Sequence, residues 1–268
     1  MDSPYELGRF IYMPGKYVVC FHVIFSAECL NKPGVLSKTL KIFAKKGVSI
    51  VNFKLSRPKP DKPIEASIFA DLTGIDRLKE EELIKELKNM ECLNNVSLIG
   101  PLFKGITIDN EFSRLTMSGR RAVILRSTVY RALLKNLRKK MGASFMAVLY
   151  HAGLEIGRDV YEELSQITEG DPAMTAVLGQ EIFKQVGFGT ARIELDLKRR
   201  SATVRVWDCF ECELFKGSGK PASHFVRGMI AGFLGGIFGE NVYADEIKCI
   251  AAANKCCEFQ VRRDNRIF

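Results

Sequence analysis

The sequence predicts an α+β protein of two domains: a ferredoxin-like βαββαβ layer over residues 1–103 and a mixed α/β domain over 104–268. Three observations carry the prediction. Strand-like and helix-like patterns follow one another in the order βαββαβ across the first hundred residues. The remainder reads as helices, a β-hairpin, a glycine-rich helix and two closing strands. The composition, 268 residues with 47% hydrophobic and 26% charged side chains, is that of a folded domain rather than a disordered, collagenous or disulfide-stapled chain.

In the first domain, Tyr17 to Phe25 is an apolar, β-branched and aromatic run and forms a strand. Asn31-Lys32-Pro33-Gly34 turns the chain. Val35, Leu36, Leu40, Ile42 and Phe43 then recur at helical spacing up to Lys46, with Gly47 as the stop. Val48 to Leu55 and Ile64 to Leu72 are strands joined by a proline-rich loop, and an amphipathic helix from Leu78 to Met90 leads to a last strand, Val96 to Leu102. In the second domain, Ser127 to Met141, Phe145 to Leu164 and Ala173 to Gln185 are helices. Thr190 to Leu197 and Ala202 to Trp207 alternate around a basic turn as a hairpin. Ala222 to Phe238 is a glycine-rich helix, and Val242 to Ile250 and Cys257 to Arg262 are strands.

The formal charge of +9 is local, because residues 104–142 hold ten basic side chains against Asp109 and Glu111. Arg131, Lys135, Arg138 and Lys139 share one helical face, which a nucleic-acid partner could use; a solvated helix face is the other reading. No apolar run reaches the roughly 18 residues of a membrane span, and the N-terminus does not read as a signal peptide. A cytoplasmic location is therefore expected, with the eight cysteines as free thiols or metal ligands. Cys20, Cys29 and Cys92 are expected to be core thiols. Cys209 and Cys212 lie three apart; Glu246 and Cys249 lie three apart, with Cys257 eight further on. Thiolates with a carboxylate on neighbouring strand ends suit Zn²⁺, while buried cysteines as plain core residues are the alternative.

The segment from Val18 to Asn52, with Asn31-Lys32-Pro33-Gly34-Val35-Leu36 between strand and helix, resembles an ACT domain. The resemblance implies dimerisation or binding of a small regulator such as an amino acid at Asn31, Gly34, Val35 and Leu36, where helix N–H groups are free. The run His224-Phe225-Val226-Arg227-Gly228-Met229-Ile230-Ala231-Gly232-Phe233, followed by Glu246-Ile247-Lys248-Cys249 and Cys257-Glu258-Phe259, resembles the vinyl-4-reductase domain family, and so does the upstream Leu149 to Gly157. That resemblance implies a structural zinc on Glu246, Cys249 and Cys257 that closes a pocket for an aromatic ligand. The family's remaining cysteine falls at Ser223, a poor zinc ligand, leaving Cys212 as first choice, with Cys209, His224 or a water as alternatives. Tyr150, Trp207, Phe225, Met229 and Phe233 are expected to line the pocket.

These features predict a homodimeric, ligand-binding regulatory protein. A reductase of a vinyl-bearing tetrapyrrole is an alternative, although no nicotinamide, flavin or nucleophile motif is visible. A nucleic-acid-binding regulator using the basic segment is the second alternative.

Overall fold

The computed structural model describes residues 5–264 except 58, 60 and 113, and only the backbone of Leu30 and Asn31. The chain divides into two compact units, Met1–Val123 and Ile124–Phe268.

In the first unit, β1 (Phe10–Tyr12) precedes β2 (Val18–Phe25), α1 (Val35–Lys45), β3 (Ser49–Leu55), β4 (Ile64–Asp71), α2 (Arg77–Lys88) and β5 (Leu93–Ile99). Then come β6 (Ile106–Ile108), β7 (Thr116–Met117) and β8 (Arg120–Arg121). The main sheet has the order β3-β4-β2-β5 and is antiparallel throughout, the βαββαβ arrangement expected. Gly47, at φ 70°, ends the α1 region as predicted. Leu83 and Leu87 of α2 and Phe43 of α1 bury against Phe21, Val23, Phe25 and Ile68.

Strand β2 is buried on both faces, which explains why its sequence is continuously apolar instead of alternating. One face meets the helices. The other is covered by the chain's own flanks: β1 pairs with β6, Ile11 and Met13 pack on Val18, Cys20 and Phe69, and the Phe112 ring meets His22 edge-on at 4.3 Å. Asp109 is buried there, accepting a 2.9 Å hydrogen bond from Ser67 and lying 3.6 Å from Arg9. This cover places residues 104–123 with the first unit, so the division comes twenty residues after the expected boundary at 103/104.

Two further expectations are corrected. The last strand begins at Leu93 rather than Val96, because Leu93 pairs with Phe25 across a bulge at Asn94 of β5. Cys29 and Cys92 are joined as a disulfide, with Cα atoms 6.0 Å apart, and are not free core thiols. A short 3₁₀ turn, Ala27–Asn31, brings Cys29 to the start of β5.

In the second unit, α3 (Ser127–Arg131), a π-helical turn (Ala132–Asn136) and α4 (Leu137–Met141) run continuously. Next come α5 (Ala143–Ile167), α6 (Pro172–Gln185), β9 (Thr190–Asp196), β10 (Ser201–Trp207), α7 (Phe210–Glu213), α8 (Phe225–Phe238), β11 (Val242–Lys248) and β12 (Cys257–Arg263). An antiparallel sheet of order β11-β12-β10-β9 packs its inward row, Val204, Val206, Phe259 and Val261, beneath α8. Helix α8 lies directly on α5. A Cβ at Gly153 or Gly157 would land on the Phe225 or Met229 carbonyl, and one at Gly228 or Gly232 on the Tyr150 or Leu154 carbonyl. Gly228 and Gly232 of α8 therefore serve a neighbouring helix of the same chain. Among the described residues no helix is long and apolar enough to cross a membrane.

Candidate metal centre and ligand pocket

Strand β11 turns Val242, Ala244 and Glu246 inward in alternation, so a carboxylate occupies a position the pleat reserves for core residues. A bulge follows Glu246, and the chain then bends through Cys249 into a 3₁₀ turn before β12 returns with Cys257 inward. The short helix α7 after β10 supplies Cys212. The ligand atoms of Cys212, Glu246, Cys249 and Cys257 all lie within 4.8 Å of one another, and all four residues are buried.

The spacing fits a tetrahedral ion. Metal–ligand bonds of about 2.3 Å to sulfur and about 2.0 Å to oxygen imply tetrahedron edges of about 3.8 Å for S–S and about 3.5 Å for S–O. The observed separations are 3.9 Å between the Cys249 and Cys257 sulfurs and 3.7 Å between the Cys212 sulfur and a Glu246 oxygen. Backbone N–H groups of Ala251 and Ile250 donate to the sulfurs of Cys249 and Cys257, an arrangement that favours thiolates. Cys256, half-buried in the bend before β12, is not among the four.

The electrostatics favour a cation at this point. Burial, then contact with Cys249, pushes the Glu246 carboxyl up to about 8. Hydrogen bonding to Cys209 and its fellow thiols raises Cys212, while the hydrogen bond from Cys212 pulls Cys209 down to about 5. A divalent cation would reverse these preferences by replacing the protons the cluster otherwise shares.

This yields a pH prediction. Without metal, the proton that folded Glu246 keeps up to about 8, and the unfolded chain releases near about 4.3, favours the folded state less as pH rises, while Cys209, pulled down to about 5, contributes in the opposite sense, so stability should change little over this range. With zinc bound, ligation requires deprotonated donors, so stability should instead rise over that range. Urea titrations of chelated and zinc-loaded protein at about pH 5.5 and about pH 8 check the contrast; parallel trends would contradict the metal assignment.

A residue that sequence reasoning missed links this cluster to α8. The buried Glu211 carboxylate accepts hydrogen bonds from the backbone N–H groups of His224, Phe225 and Val226 at 2.9, 3.1 and 2.9 Å. It thereby caps a helix whose own N-cap residue makes no side-chain bond. Glu246 accepts a fourth bond, from Ser223 N–H at 3.0 Å. Burial raises the Glu211 carboxyl, and these backbone bonds oppose that. The signal was present in the sequence as a carboxylate between two cysteines, Cys209-Phe210-Glu211-Cys212. Its target lies thirteen to fifteen residues onward, which spacing could not reveal.

Two members of the basic stripe are committed here. Arg138 donates to the Ala222 carbonyl at 2.8 Å and stacks on the Phe215 ring at 4.5 Å, and Lys135 donates to the Leu214 carbonyl at 2.6 Å. The four-residue cationic face is thus interrupted by residues that anchor the α7 segment.

The other predicted site residues divide. His224 is not in the cluster; burial, with Arg138 and Arg227 nearby, pushes its imidazole down to about 4. An apolar pocket of about 160 Å³ lies among α5, α6, α8 and β9–β10. Met229 and Phe233 line it, together with Phe183 and Phe188. Tyr150, Trp207 and Phe225 do not: Tyr150 faces a separate groove, Trp207 is at the exposed end of β10, and Phe225 packs with Leu134, Leu149 and Leu214. In the first unit, Gly34 at φ 88° precedes Val35 and a partly exposed Leu36 at the start of α1. The side chain of Asn31 lies outside the described residues.

Comparison with known proteins gives two family matches, the ACT domain over residues 22–92 and the vinyl-4-reductase domain over 202–263. Two uncharacterised proteins of Methanocaldococcus jannaschii, MJ1642 and MJ0150, are 29% identical over 131 residues and 27% identical over 127. Each alignment spans 47% of this chain and 70% of the relative. Among solved structures, the phenol-responsive sensory domain of the transcription activator PoxR with phenol aligns at a TM-score of 0.49 and 15% identity, covering 59% of this chain and 80% of that one. A vinyl-4-reductase family protein from Methanocaldococcus jannaschii aligns at 0.37 and 19%, covering 54% and 85%.

Proposed function

We propose that this chain, an ACT domain followed by a vinyl-4-reductase domain, is a cytoplasmic, homodimeric regulatory protein that senses an apolar or aromatic small molecule in its second unit. A structural zinc on Cys212, Glu246, Cys249 and Cys257 holds the end of that unit. One observation carries the reading: helix α8 is tied at its N-terminus to the acid pair Glu211 and Glu246 beside the thiols, and further along it contributes Met229 and Phe233 to the apolar pocket. Zinc would supply charge neutralisation and a fixed cross-link. The protein's own residues would set the seat of α8 and exclude water from the pocket. A cavity of about 150 Å³ lined by aliphatic and aromatic side chains suffices for a benzene-sized guest, and this pocket is of that class. The ACT unit would provide dimerisation or take an amino-acid effector at Gly34, Val35 and Leu36.

Toluene is a suitable probe, read by ligand-observed NMR. Ala191→Phe, which places a ring in the pocket from β9, should weaken toluene binding about tenfold or more while leaving zinc content unchanged. Equal binding by the variant would contradict the pocket assignment.

A further inference from the structure

A second cavity of the vinyl-4-reductase unit has no role in this scheme. It is an open groove of about 1160 Å³ bounded by α5, α8 and the start of β11, distinct from the apolar pocket except that α5 and α8 wall both. Leu154, Tyr161, Ala231, Gly235 and Val242 give its wall an apolar stretch, with Gly232 and Gly236 packed beneath the Leu154 carbonyl and the Tyr161 ring.

Arg227 stands at one end. It occupies the first turn of α8, where a cation meets the positive end of the helix dipole, so nothing in the helix explains a permanent charge there. Its Nε atom is buried and has no acceptor among the described residues. Its guanidinium makes no ion pair within 4.0 Å among the described residues and rests 5.2 Å from the Tyr150 ring centre. The groove does contain carboxylates, yet they are engaged elsewhere or leave Arg227 alone. Glu240, for instance, is held by Arg200 at 3.0 Å and Arg263 at 3.6 Å. A buried donor without an acceptor is costly, and a charged one more so. Stacking on Tyr150 orients the fork while leaving its donors unused.

We infer that this groove is a second binding site, taking an amphipathic anion whose carboxylate or phosphate head pairs with Arg227 and whose apolar body lies along the stretch from Leu154 to Val242. The pairing would be a charge-assisted, two-pronged contact of the kind a guanidinium makes with a planar or tetrahedral oxyanion. Arg158, on the same wall, is already paired with Glu155 at 2.8 Å and takes no part in the contact. The site is independent of toluene-type binding, because it uses a different cavity and a charge.

Calorimetric titration of the full chain with octanoate, octyl phosphate and octanol tests the inference and separates the two head groups. At least one anion should bind about tenfold more tightly than octanol, and Arg227→Gln should remove that advantage while leaving octanol unchanged. Octanol matching both anions in the unaltered protein, or an anion advantage that survives Arg227→Gln, would overturn it. If Arg227→Gln does not fold, the comparison of anions with octanol in the unaltered protein decides by itself.

Discussion

Chelating the metal from purified protein should lower the melting midpoint of the vinyl-4-reductase unit by about 10 °C while leaving the ACT unit unchanged. An ion at a thousandfold excess over its dissociation constant contributes about 4 kcal/mol to the folded state, and a unit of this size gains about 2–4 °C per kcal/mol. Loss of the ion leaves four thiols, Cys209 among them, and two carboxylates, Glu211 and Glu246, in one buried volume, so the actual fall should reach at least that figure. Cys249→Ala should abolish stoichiometric zinc, since it removes a ligand whose sulfur lies 3.9 Å from that of Cys257. Metal analysis with calorimetry of both forms checks the claim. Less than about 0.2 zinc per chain, with a midpoint indifferent to chelator, would remove the ion from the account.

Gly232→Val should be the most damaging single substitution on α8. Its first side-chain atom would fall on the Leu154 carbonyl and crowd the Arg158 amide, and neither can move without separating two helices. α8 cannot retreat, because its other side is pressed into the sheet through Leu234 and Phe238. Overpacking of this kind costs about 3 kcal/mol or more, so the midpoint should fall about 6–12 °C, or the unit should fail to fold. Gly235→Ala is the control. Its nearest neighbour is the Glu240 carbonyl at 3.1 Å, and the better helix propensity of alanine, about 1 kcal/mol, offsets the tight contact. A Gly232→Val protein as stable as the control would show that α5 and α8 are not locked as described.

The parts that the sequence disclosed are those governed by short-range pattern. The βαββαβ order followed from period-2 and period-3.6 repeats and from turn residues. Spacing drew Glu246, Cys249 and Cys257 together on two adjacent strands, while Cys212 entered as first choice, ahead of Cys209, His224 and a water, only after the resemblance left Ser223 in the remaining position. What stayed hidden depends on contacts between distant segments. The bond between Cys29 and Cys92 spans 63 positions, and nothing near either cysteine marks it. Glycines 153 and 157 meet glycines 228 and 232 only once α5 and α8 are side by side. Tyr150 and Phe225 read as pocket aromatics because aromatic residues carry no indication of which side of a helix faces a cavity. The basic stripe misled for a related reason: Arg138 and Lys135 look solvated by composition, and only their carbonyl partners reveal otherwise.

The cover over the second face of the ACT sheet has a consequence for how the chain is made and cut. Its two flaps, residues 8–13 and 106–112, bracket the whole βαββαβ core, so during synthesis the first flap must wait for the second. Until the ribosome has released the later segment, Val18, Cys20 and Phe69 stand exposed, and the nascent domain presents a bare apolar surface. A fragment trimmed to residues 16–100, which keeps β2 to β5 and both helices but neither flap, would never acquire its cover. Such a fragment should clump at concentrations where one running to Val123 remains dispersed, which sedimentation of the two fragments would reveal.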